Sequence, residues 1–143
     1  LKSEGLPLEK FIFVHAGSES NFNYHVKVAE QGAWVEYDGI SPGEANRYIQ
    51  LIKAMLDKGY GDRLLLSQDA GWYNVGDPRG GNIRSFAYIV RDFIPLMEKS
   101  GIDKKTIDKL FIENPAKALR IPMVVGQSVN PLGKVKSTWG KIK

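Results

Sequence analysis

Three short apolar runs, separated by segments of helical period, constrain this 143-residue chain more than any other feature. KFIFVH at 10–15, AWVEYD at 33–38 and RLLLSQ at 63–68 are rich in β-branched, aromatic and aliphatic residues and are bounded by turn formers. Between the first two, residues 20–31 carry Phe22, Val26 and Ala29 at i, i+4 and i+7. Ser18 or Ser20 is placed to cap that helix, and Gly32 to end it. Between the second and third runs, the turn GISPGE at 39–44 leads into a stripe of Tyr48, Leu51, Ile52, Met55 and Leu56 that stops at Gly59. Strands joined by helices of this length need right-handed crossovers and hence a parallel sheet, and FIFV and LLL suit strands covered on both faces. The fold class is α/β.

Beyond the third run, DAGWYNVGDPRGGN at 69–82 holds five Gly or Pro and no helical period, so it reads as a long loop. Helical period returns over 83–99, with Phe86, Ile89, Val90 and Phe93 as the apolar face and a kink expected at Pro95. A further helix is expected over 103–112, and NPAKAL at 114–119 adds a short helical turn. The segment 121–143 has two Pro, three Gly and the basic end KVKSTWGKIK. Three βα units make a thin sheet, whereas a closed barrel of this type uses eight strands in about 250 residues. Together with Leu1 as the first residue, this leads us to expect part of something larger, whose exposed strand edges another segment covers.

Composition narrows the functions. The 43% hydrophobic content is enough for a core, and 20 Lys and Arg against 16 Asp and Glu give a net charge of +4 scattered along the chain. That is too weak for a nucleic-acid surface. No apolar run approaches the roughly 20 residues of a membrane helix, and the first residues lack the order of a signal peptide, so no membrane partner is expected and no compartment is indicated. With no Cys and only two His, any metal must also use carboxylates or ligands from elsewhere.

In parallel α/β folds chemistry sits beyond the carboxyl ends of the strands, where this chain places His15, Asp38 and Asp69. His and Asp are the expected donors for zinc or a similar ion, and either can move a proton. Each also has a structural reading: His15 as a hydrogen-bonded strand end, Asp38 as an Asx-turn before Gly39, Asp69 as a loop cap. Trp72 and Tyr73 either line a substrate pocket or pin the long loop, and Arg79 and Arg84 either bind an anion or are solvated. His25 falls on the polar side of its helix and reads as a surface residue.

The ordered segments FVHAGSES, GAWVEYDGI, LIKAMLDKGYGDRLLLSQDAG and FIPLMEKSGIDKKTIDKLFIENPAKAL resemble the last third of a phosphotriesterase-like metal-dependent hydrolase of the amidohydrolase superfamily. The resemblance covers roughly residues 10–119; in domain terms, 1–119 form the last three βα units of a TIM (β/α)8 barrel and 120–143 an extension. It implies strands six to eight, two divalent metals, usually zinc, and hydrolysis of an ester, lactone or phosphoester by a metal-bridging hydroxide. By the same resemblance His15 is the strand-six metal ligand, and Asp69 the strand-eight ligand and proton acceptor. Asp38 ends strand seven near the substrate; Trp72 and Tyr73, from their place in the long loop rather than from the resemblance, are expected as further substrate contacts.

The remaining ligands belong to strands this chain does not carry, so the isolated chain is expected to be inactive. Its partners would be a small-molecule substrate and the amino-terminal part of the same protein, with a second copy of the chain a further candidate. Ser18 and Gly39 stand where phosphotriesterases proper have an acidic residue and a His that relay protons. That departure favours a lactone or ester hydrolase. The competing reading, from another class, is a complete small α/β domain that uses the loop at 70–82 to bind a ligand or partner without catalysis.

Overall fold

The computed structural model describes Gly5 and residues 7–121. Three strands, β1 (Ile12–Phe13), β2 (Trp34–Tyr37) and β3 (Leu64–Leu66), form one parallel sheet in the order β1-β2-β3. The register pairs Phe13 with Val35 and Val35 with Leu64. All three strands fall inside the apolar runs but are shorter than them. The crossovers are α1 (Phe22–Glu30) and α2 (Ala45–Asp57). Gly32 and Gly59, both at positive φ, end these helices as their positions predict. The α1 cap differs from expectation: Asn21, not Ser18 or Ser20, accepts from the backbone N–H of Asn23. No helix among the described residues is long and apolar enough to cross a membrane.

Period-two alternation along β2 divides the interior. Val35 and Tyr37 join the main core, where Ile49, Ile52, Met55, Leu64, Phe93, Met97, Ile107 and Leu110 are buried between sheet and helices. Trp34 points the other way into a small cluster with Leu65, Ala118 and Ile12. On that second face Glu36 accepts from the Ser67 hydroxyl.

The expected helix over 83–99 begins later and faces differently. Its π-helical turn, Ile89–Phe93, runs into α3 (Ile94–Lys99), with Phe93 and Met97 buried but Phe86 and Val90 exposed. The second helical stretch has the same construction: α4 (Lys104–Asp108), a π-helical turn Lys109–Glu113, then α5 (Asn114–Ala118). Each wide turn directly precedes a proline-bearing first turn, at Pro95 and Pro115. A proline ring clashes with the carbonyl four residues back and offers it no N–H. Widening the turn relieves that clash and keeps the helix running, so NPAKAL continues a helix where a separate short turn was expected.

Asn114 explains the rest of that motif. Its buried amide donates at 2.8 Å to both Gly61 and Leu64 carbonyls, tying α5 to the entrance of β3, and Ala118 is small enough to sit on Trp34 and Leu65. Of the extension expected from 120 onward, only Arg120 and Ile121 lie among the described residues.

His25 corrects the sequence reading outright: it is completely buried. Its Nε2–H donates to the Glu19 carbonyl, and Nδ1 accepts from the Tyr37 hydroxyl at 2.9 Å. A carbonyl only accepts, so Nε2 carries a proton, and burial, which disfavours the charged ring, leaves Nδ1 as the acceptor. Phe22 and Tyr37 flank it at 5.6 Å. The polar face of the helix failed as a guide because a buried tyrosine hydroxyl waits opposite. Burial lowers the His25 pKa and raises that of Tyr37. Above about pH 6.5 neither folded nor unfolded chain protonates this ring; below it the unfolded chain takes up a proton that the folded chain resists. Urea unfolding measured from pH 7.5 to 5 is therefore expected to show stability falling as pH drops below about 6.5, and this component of the slope should vanish in His25→Gln.

Candidate functional site

All three strands enter their loops on one edge of the sheet, at His15, Asp38 and Asp69. His15 (φ 54°) and Asp69 (φ 41°) are both left-handed, a conformation that costs about 1–3 kcal/mol for residues other than glycine. At His15 the compensation is visible. Its backbone N–H donates to Asp38 Oδ2 at 2.8 Å, and its Nδ1 lies 2.7 Å from the same oxygen. A carboxylate only accepts, so a hydrogen bond at this contact requires the proton on Nδ1, and a neutral ring held that way would leave Nε2 as its acceptor. The Asp38 side chain is 11% exposed and that of His15 64%, so the acid is set into the protein and the ring is open to a ligand. Asp38, expected beside the substrate, has this oxygen committed to His15.

Asp69 stands apart from His15, because β1 and β3 flank β2 and two strand spacings amount to roughly 10 Å. Its backbone carbonyl accepts from Trp72 Nε1 at 2.8 Å and from Arg84 Nη2. Among the described residues its carboxylate has no hydrogen-bond or ion-pair partner. The three strand ends thus share one edge, but only His15 and Asp38 touch. No group of three or more His, Asp or Glu among the described residues is close enough to hold a metal.

The loop after β3 is tied down at both legs. Gln68 donates to the Phe86 carbonyl at 2.6 Å and accepts from the Ile89 N–H, while Arg84, which the sequence left between anion binder and solvated residue, reaches back to Asp69. Within the loop, Tyr73 lies against Gly80, where a Cβ would collide with its ring, and Phe86 lies against Gly71 in the same way. Trp72 and Tyr73 remain 62% and 66% exposed. They are pinned to the loop backbone and also present apolar surface beside the strand ends. A cavity of about 590 Å³ beside the loop is lined by Ile40, Gln68, Ala70, Arg84, Tyr88 and Leu96 among others. Trp72 and Tyr73 are not part of its wall.

Sequence reasoning missed Arg47, Tyr48 and Gln68. A usable signal for the first two was present: Gly17 closely follows His15, and Gly39 follows Asp38. A glycine behind each candidate residue marks close approach of another group.

A family model described as the phosphotriesterase family matches residues 1–119. The chain is similar to the phosphotriesterase homology protein of Escherichia coli, 26% identical over 119 residues, which are 81% of this chain and 40% of that protein. It is similar to the N-acetyltaurine hydrolase of Danio rerio, 28% identical over 108 residues, covering 66% of this chain and 30% of the relative. Among solved structures, a lactonase from Listeria monocytogenes superposes with a TM-score of 0.72 at 26% identity, over 85% of this chain and 39% of that one. The chain therefore spans two fifths or less of the length of these relatives.

The His15–Asp38 geometry makes a direct prediction. Asp38→Ala removes the acceptor of both the His15 N–H and its ring, so urea unfolding should show a loss of about 1 kcal/mol, with faster hydrogen exchange at the His15 amide.

Proposed function

Because the chain belongs to the phosphotriesterase family, we propose that it supplies strands six to eight of a (β/α)8 metal-dependent hydrolase acting on an ester, lactone or phosphoester. The observation that carries this reading is the His15–Asp38 pair: a strand-end imidazole whose Nδ1 lies 2.7 Å from a carboxylate oxygen is the arrangement that orients a histidine ligand through its Nε2. Asp69 suits a second corner, since its carboxylate is exposed and uncommitted among the described residues. His15 and Asp69 would each contribute to a site for two divalent metals, with zinc the first choice for such donors, and partners from the amino-terminal part of the same protein would complete the set. A metal bound there supplies Lewis-acid polarisation of the scissile oxygen and an acidified water.

Each residue of this chain then has a role. Asp38 keeps the Nδ1 proton of His15 in place and so keeps Nε2 basic. Asp69 takes up the proton released when water attacks. Trp72 and Tyr73 offer their exposed faces to the apolar part of a small-molecule substrate. Gly39 brings no side chain to the turn after Asp38, and Ser18 no acid to the turn after His15, which favours lactones and carboxylic esters over organophosphates. Among the described residues the outer edges of β1 and β3 make no strand pairing, and Phe11 and Val14 are exposed beside β1. Those edges are where the amino-terminal part would pair.

Two measurements test this. In the protein with its amino-terminal part present, lactone hydrolysis should be abolished by a chelator, by His15→Ala and by Asp69→Asn, and Asp38→Ala should cost about 10–100-fold. Turnover insensitive to chelator or to both ligand variants would refute the metal reading. The 143-residue chain alone should bind zinc only weakly, since it brings two ligands where three or four are needed, and should associate or unfold broadly. A soluble monomer with one sharp transition would favour the small binding domain instead.

A further inference from the structure

Gly17 and Gly39, the glycines behind His15 and Asp38, lean on one side chain. A Cβ at either would collide with the hydroxyl oxygen of Tyr48. Neither glycine has a positive φ, so close approach and not backbone freedom accounts for them. Tyr48 stands on the first turn of α2, is 5% exposed, and continues inward through Tyr37, whose ring centroid is 6.0 Å away. Arg47 beside it lays its guanidinium over the Tyr48 ring, 5.2 Å from the centroid, and donates through Nη2 to the Gly17 carbonyl. One helical turn thus touches both strand-end turns, by a ring wedged against two backbones and a cation fixed to a carbonyl.

The turn after His15 needs such support. Ser18 N–H returns to the His15 carbonyl at 2.9 Å and Glu19 N–H to the Ala16 carbonyl at 3.1 Å, a tight reversal that begins from a left-handed histidine. Moving Gly17 away from Asp38 would draw the His15 N–H and Nδ1 off the carboxylate they share. We propose that Arg47 and Tyr48 are positioning residues: they fix the spacing of the two turns, and through it the conformation and tautomer of His15. The geometry stands without any metal, and only its consequence for metal affinity rests on His15 being a ligand.

The test reads the ring nitrogens of His15 by ¹⁵N NMR at pH 8, where free imidazole is neutral, in the metal-free protein with its amino-terminal part present. Wild type should show the Nδ1-protonated tautomer. Arg47→Met and Gly39→Ala should shift it to a mixture, Tyr48→Phe should keep it, and Ile107→Val, a core variant away from the site, should also keep it at equal thermal destabilisation. In the protein with its amino-terminal part, Arg47→Met should weaken zinc binding about tenfold. A wild-type tautomer in both Arg47→Met and Gly39→Ala, or equal loss in Ile107→Val, would overturn the proposal. If wild type holds no zinc, the hydrolase reading fails, while the tautomer comparison still decides the positioning roles.

Discussion

The fold turns on β2 being paired on both sides. A parallel strand cannot satisfy its backbone with a neighbour joined by a short hairpin, so each partner must arrive through a helix. That requirement places α1 and α2 on one face, and their apolar stripes meet Val35 and Tyr37 there to form most of the core. It also sends all three strands the same way, which collects their carboxyl ends on one edge. The chemistry of the chain is concentrated there because of the connectivity.

Covering the sheet sets the remaining elements. Two helical stretches run over it despite a proline in each, and in both a wide turn absorbs the clash one residue before that proline's own turn begins. The buried Asn114 amide then locks the last helix to the loop entering β3, giving two backbone carbonyls the donors they would otherwise lack. The second face of the sheet, with Trp34, Leu65 and the Glu36–Ser67 hydrogen bond, is covered more sparsely. That asymmetry is what a barrel segment has: helices outside, a closed interior shared with other strands.

At the strand ends, conformation and chemistry are coupled. His15 and Asp69 both sit where only glycine is at ease, and such strain persists only when neighbours over-determine it. For His15 the neighbour is Asp38, whose single oxygen serves both backbone and ring. For Asp69 it is the loop itself, through Trp72 and Arg84 on its carbonyl. In each case the backbone is held by contacts that do not use Nε2 of His15 or the carboxylate of Asp69.

The sequence by itself determined the α/β class, the parallel order of three strands, the helix stops at Gly32 and Gly59, and the edge on which His15, Asp38 and Asp69 gather. Those features follow from period, local propensity and chain direction, all of which are written in neighbouring residues. The long-range matches were decided only by tertiary structure. His25 looked like a surface residue because helical period cannot see Tyr37, which arrives from the next strand to bond it. Phe86 and Val90 looked apolar enough to be core, yet they are exposed, while Ile89 and Phe93 of the same expected face pack into the core together with Met97. Asp38 looked like a turn residue or a substrate contact, and it became the acceptor for His15 only when β1 and β2 paired. Hydrogen-bond partners separated by many residues are fixed by which elements meet, and that is settled by burial of the whole core at once.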